Sequence, residues 1–165
     1  MTKSQNNLTE EDMKPTTKSQ RQQTFLRRGT LVVLVLLVIQ FIVGMLINFY
    51  AQLPDIHPGT QGSYAPSIAW ALGGGGGVTL AIHVGDAILL LVGAIALFVL
   101  AIMSRRKVFI VGMSVGLFFI LAAFSNGLTY LNRGGNDSES LGMSLAFIFA
   151  LITYGVTFYI THENS

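Results

Sequence analysis

The chain has 165 residues, of which 52% are hydrophobic and only 11% charged; with a mean hydropathy of +0.60 it is too apolar for an ordinary soluble domain. Its formal net charge of +2 comes with no basic surface interleaved with aromatic residues, which excludes nucleic acid as a partner. The absence of cysteine excludes disulfides, thiolate metal ligands and iron–sulfur clusters.

Residues 1–28 are rich in Ser, Thr, Gln, Asn and Lys and lack hydrophobic periodicity, so a disordered tail is predicted there. No small-residue cleavage motif follows the first apolar run at signal-peptide distance, and that run is expected to stay in the protein. Four apolar stretches follow, at about 30–51, 78–103, 108–131 and 141–160. Each approaches or exceeds the ~20 residues that cross a ~30 Å hydrocarbon core, and lipid cannot satisfy an open backbone, so each is predicted to be a helix. The expected fold is therefore all-α: a polytopic four-transmembrane-helix bundle over 29–161, with a short tail at 162–165. Six of the ten basic residues lie in the first 28 positions and three more, Arg105, Arg106 and Lys107, between the second and third spans. Only Arg133 lies on the other side, so the positive-inside rule predicts a multi-pass plasma-membrane protein with both termini in the cytoplasm.

In the first span, Gln40, Gly44 and Asn48 recur every four residues and share a face that should look into the bundle. The loop at 52–77 holds Pro54, His57, Pro58, Pro66 and Trp70, and 67–72 could form a short helix on the membrane surface. His57 reads as a solvated histidine. The five consecutive glycines at 73–77 lack the Lys-Ser/Thr of a phosphate loop and suit a hinge or a close backbone approach.

The second span carries His83 and Asp86, the only strongly ionisable residues well inside any span, and such residues mark functional sites by default. Three residues apart, they are expected to face inward together. Asp86 is predicted to be neutral or hydrogen-bonded, with Arg133, a protonated His83, Asn48 and Asn126 as its possible partners. Counting ~1.5 Å per residue from the outer helix ends places His83 roughly 8 Å deep, Asp86 about 12 Å, Asn126 about 8 Å and Asn48 about 4 Å, with Met143 in the first turns of the fourth span. The inner halves of the spans hold little that is polar, so a polar cavity in the outer leaflet is predicted. Gly112 and Gly116 have the four-residue spacing of tight helix crossings.

Such a cavity suits three chemistries. Imidazole and thioether are common axial ligands of haem iron, so His83 and Met143 could hold a haem b for electron transfer or haem handling, with Asp86, Asn126 and Asn48 beside it. A protein metal cage is poorly served by one histidine and one aspartate. The third chemistry is proton or cation handling by Asp86 and His83, in a small proton-linked transporter module or in an assembly subunit where they join helices. No nucleophile–base–orienter triad is present, which leaves enzymatic activity undecided. Beyond the bilayer, other membrane proteins or a second copy are the expected partners.

The stretch Ile39-Gln40-Phe41-Ile42-Val43-Gly44 resembles the Gln/Gly face of the first helix in the four-helix unit of the heme A synthase family. Ile82-His83, followed by small residues, resembles that family's haem-ligating helix, with Met143 near the position of its helix-four histidine. This resemblance implies a single haem b site on His83 and Met143.

Overall fold

A computed structural model describes residues 18–50, 53–60, 62–135 and 137–163. The fold is all-α, with α1 (Lys18–Tyr50), a short α2 (Tyr64–Leu72), α3 (Val78–Ser104), α4 (Lys107–Asn132) and α5 (Asp137–Glu163). The four long helices are each apolar and long enough to cross a membrane, and the chain is an integral membrane protein. Neighbours pack in a ring, α1 on α3, α3 on α4, α4 on α5 and α5 back on α1. Among the described residues the backbones of the diagonal pairs do not come close, so the bundle axis must be filled by side chains or left empty.

Each long helix turns one stripe toward that axis, with spacings of three and four residues. On α1 it runs through Leu26, Thr30, Val33, Leu37, Gln40, Gly44 and Ile47, and on α3 through Leu80, His83, Ala87, Leu90, Ala94, Leu97 and Ala101. On α4 it includes Phe109, Met113, Gly116, Ile120, Ala123 and Gly127, and on α5 Met143, Phe147, Ala150, Tyr154, Thr157 and Thr161. Alternating three- and four-residue steps are the spacing of helices that cross at ~20° as in coiled coils. In the half nearer the α3–α4 turn, the stripes carry Leu26, Leu97, Phe109, Met113 and Tyr154, all buried, and the axis is full. In the half nearer α2, the same stripe positions are Gly44, His83, Ala87, Ala123 and Gly127, too small or too short to meet across it.

The expected disordered tail at 1–28 is corrected for its last part: α1 is helical from Lys18. Leu26 continues the α1 stripe and is fully buried, and Gln22 Nε2 donates to Leu100 O at 3.4 Å, so these turns dock on α3. Residues 1–17 lie outside the described set. At the other terminus α5 runs through Glu163, so the tail expected from 162 is helical for its first two residues.

The α2 end is closed by a compact cap. The helix expected at 67–72 starts earlier, at Tyr64, and packs on α3 and α4. The glycine run is a hydrogen-bonded turn, with Gly73, Gly74 and Gly75 donating back to Ala69, Ala71 and Trp70. A side chain on Gly75 would collide with the Trp70 ring, so close packing is the reason for glycine there.

The expectation of a solvated His57 is overturned. It is 7% exposed, stacks on Trp70 with centroids 4.3 Å apart and planes 11° from parallel, and donates from Nε2 to Leu131 O at 2.8 Å. That bond satisfies one of the carbonyls left open at the end of α4 and ties the loop to it. His57→Phe, which keeps the stack and loses the bond, is expected to cost about 1 kcal/mol. His57→Ala loses both and is expected to make Trp70, the only tryptophan, more accessible to acrylamide quenching. Unchanged quenching in His57→Ala would show that the cap is held by other contacts.

Candidate functional site

The empty part of the axis is a cavity of about 210 Å³ bounded by α1, α3, α4 and α5, with Ile68 of α2 at its lid. Its walls are overwhelmingly apolar, and no Lys, Arg, Asp or Glu lines it. Phe41, Met45, Asn48, Ser144 and Ile148 line it and are also exposed on the bundle surface, so the cavity opens sideways between α1 and α5. Phe41 and Phe147 stack across that seam at 5.6 Å and 21°.

Its polar focus is a pair joining two helices. Gln40 Nε2 on α1 lies 3.2 Å from His83 Nε2 on α3. A Cβ on Gly44, one turn along α1, would stand 3.1 Å from His83 Cε1, so glycine there lets the imidazole lie against the α1 backbone. Two atoms of the pair, His83 Nδ1 and Gln40 Oε1, are buried with no hydrogen-bond partner. In a lipid-embedded protein each such group costs free energy that water cannot relieve.

Of the residues singled out from sequence, His83, Met143 and Asn48 line this one cavity. Asp86 and Asn126 do not. Asn126 Nδ2 donates to Ala122 O at 2.8 Å, and its Oδ1 would be 2.7 Å from a Cβ on Gly142, so it faces α5. Asp86 lies on the flank of α3 that carries Gly93, which packs against Val33 of α1. Its Oδ2 is buried and unpartnered, and Arg133 pairs instead with Glu139 at 3.0 Å. Among the described residues no hydrogen bond links Asp86 to His83. With no ion pair to lose, Asp86→Asn is expected to leave the thermal melting and gel-filtration profile of the bundle within error of the parent. A variant that does not fold would count against a neutral Asp86 and favour an ion pair there.

The residues present do not fit a haem. Gln40 occupies Nε2 of His83, which leaves only Nδ1, held against α1 at Gly44. The Met143 sulfur points at α4, 3.3 Å from where a Cβ on Gly127 would be. The volume is also below the ~300–1,000 Å³ of pockets that take drug-sized ligands, and a tetrapyrrole is a large ligand. Among the described residues no group of three or more His, Cys, Asp or Glu is placed to hold a metal ion.

Sequence reasoning found Gln40 as part of a polar face but not as the partner of His83. Counting residues from the outer helix ends puts Gln40 several ångströms deeper than His83, so depth alone did not pair them. No family model, curated protein or solved structure matches the chain.

Proposed function

We propose that this integral membrane protein is a binding module that admits a small amphipathic molecule from the bilayer through the α1–α5 seam. The molecule's apolar body lies along the cavity walls and its polar head rests on Gln40 and His83. One observation carries this reading: an otherwise apolar cavity that opens between α1 and α5 has the Gln40–His83 pair on its wall. The charge distribution supports placing the α2 end on the outer side of the plasma membrane, so that the molecule comes from the outer leaflet.

The test is photolabelling of the protein in bilayers with a dodecyl diazirine and mapping of the adducts by peptide mass spectrometry. Adducts on Ala87, Ala123 and Gly127, which line the cavity, are expected alongside those on the outward-facing Leu89, Val92 and Val111. Labelling confined to the outward-facing set would defeat the proposal. A Soret band on adding haem to the purified protein, absent in His83→Gln, would overturn it in favour of haem binding.

A further inference from the structure

Asp86 is the only Asp or Glu well inside any of the four spans, and the bundle gives it no partner. Eight residues from the start of α3, it lies roughly 12 Å inside the α2 end of the bundle and about 27 Å from the α3–α4 turn. Its Oδ2 is buried without a hydrogen-bond partner, and no described residue bonds to the other oxygen. The side chain is half-buried and does not line the cavity, so its open part, with Oδ1, is on the outer surface of the bundle. Ile82 and Leu89, one turn to either side on α3, are each more than half exposed. A Cβ on Gly93, two turns on, would meet only Val33 of α1, at 3.6 Å, so the flank is shallow and a neighbouring helix can come close along it.

This chain has no group to answer the carboxylate. Arg27, Arg28, Arg105, Arg106 and Lys107 belong to the far end of the bundle, and Arg133, at the near end, pairs with Glu139 at 3.0 Å. A second copy packed alongside in the same orientation brings only another carboxylate to that depth. The ammonium of a lipid head group stays at the membrane surface, about 12 Å away. A metal ion needs more ligands than one carboxylate, and among the described residues no group of three His, Cys, Asp or Glu is placed to supply them.

We propose that Asp86 is the docking point for a transmembrane helix of another protein, one that carries Lys or Arg near mid-span, on the α1–α3 flank of the bundle. A carboxylate and an ammonium or guanidinium group are each costly in hydrocarbon, and such groups inside membranes pair with one another. The partner's cation meets Oδ1, and its apolar side chains cover Ile82 and Leu89. The flank is separate from the cavity, so the proposal stands independently of the binding-module reading.

The experiment reconstitutes the full chain in phosphatidylcholine liposomes with tryptophan-free Leu/Ala helices of about 22 residues, labelled at one end with an acceptor of tryptophan fluorescence. Trp70, the only tryptophan, is the donor. Three peptides differ at their central residue, which is Lys, Leu or Glu. The expected result is energy transfer to the Lys peptide at peptide-to-lipid ratios about tenfold below those the Leu peptide needs, with the Glu peptide no better than Leu. Asp86→Asn is expected to remove the preference for Lys. Because the chain has no cysteine, the docked face can be located with single cysteines. Leu89→Cys should form a disulfide with a Lys peptide that has a cysteine one turn from its lysine, and Leu121→Cys, at a similar depth on the outward face of α4, should not. Equal transfer to the Lys and Leu peptides overturns the proposal, as does a Lys preference that survives in Asp86→Asn or a disulfide formed as readily at Leu121→Cys. A disulfide dimer of Leu89→Cys with itself in native membranes overturns it in favour of a second copy. The peptide comparison uses the unmodified protein and does not depend on the variant folding.

Discussion

Gly116→Leu is expected to yield no folded bundle, and Gly116→Ala to melt markedly earlier than the parent. A Cβ at position 116 would lie 2.6 Å from Tyr154 Cε2 and 2.7 Å from Cζ, and one at Gly112 would collide with Thr157 Oγ1. α4 against α5 is the most extensive helix pairing in the protein, and Tyr154 is fully buried in it. Overpacking of this kind costs ~1–3 kcal/mol for a methyl, and a leucine has no room that side-chain rotation could provide. The close approach that glycine permits is also the main source of association between helices in lipid, where dispersion replaces the hydrophobic effect. The ring responsible can be identified by a double-mutant cycle. Tyr154→Leu in the Gly116→Ala background should recover part of the loss, with a coupling of at least ~0.5 kcal/mol. Tyr154→Phe alone should be neutral or stabilising, because the Tyr154 hydroxyl is buried without a partner. A Gly116→Leu protein that melts like the parent would mean that the helices do not approach this closely.

The four spans were legible because a membrane imposes length and apolarity on any helix that crosses it. The stripe that each helix turns inward was not. In lipid the outward face is as apolar as the core: Val92, Val111 and Ile152 are more than half exposed, yet by composition they could exchange with Leu90 or Ile120 on the axis. Hydropathy therefore carries no period, and only small and polar residues mark a face. That is why Gln40, Gly44 and Asn48 could be assigned from sequence; the cavity in that half was expected to be polar, and is instead walled mostly by apolar side chains, with Asp86 and Asn126 outside it. The same logic failed for Asp86. Three residues from His83 means about 60° around the helix, enough in a ring of four helices to move from the axis to the boundary with α1. His57 was missed for a different reason. Its acceptor, Leu131 O, is 74 positions away, and no local pattern signals a loop histidine stacked on Trp70. The buried start of α1 had a signal, Leu26 in step with Thr30 and Val33, hidden within a polar composition.

The pair at the cavity wall gives a stability test whose sign shows whether Gln40 and His83 are a net cost to the empty protein. Gln40→Leu alone is expected to destabilise the empty protein. It removes the partner of His83 Nε2 and leaves a histidine with both ring nitrogens unanswered inside the bundle. Interhelical hydrogen bonds in membranes average ~0.6 kcal/mol and reach ~1.7, which sets the size of the loss. Adding His83→Leu removes the remaining polar atoms and fills part of the cavity with methyl groups, so the double variant should regain the parent's stability or exceed it. A pair whose hydrogen bond contributes more than its burial costs predicts the opposite, with the double variant at least as unstable as the single. The measurement is the midpoint of denaturation in mixed detergent for the parent, Gln40→Leu, His83→Leu and the double variant, with no ligand added. A double variant no more stable than Gln40→Leu would mean that Gln40 and His83 serve to hold α1 on α3. Recovery would mean that the empty protein carries the two polar groups at a net cost.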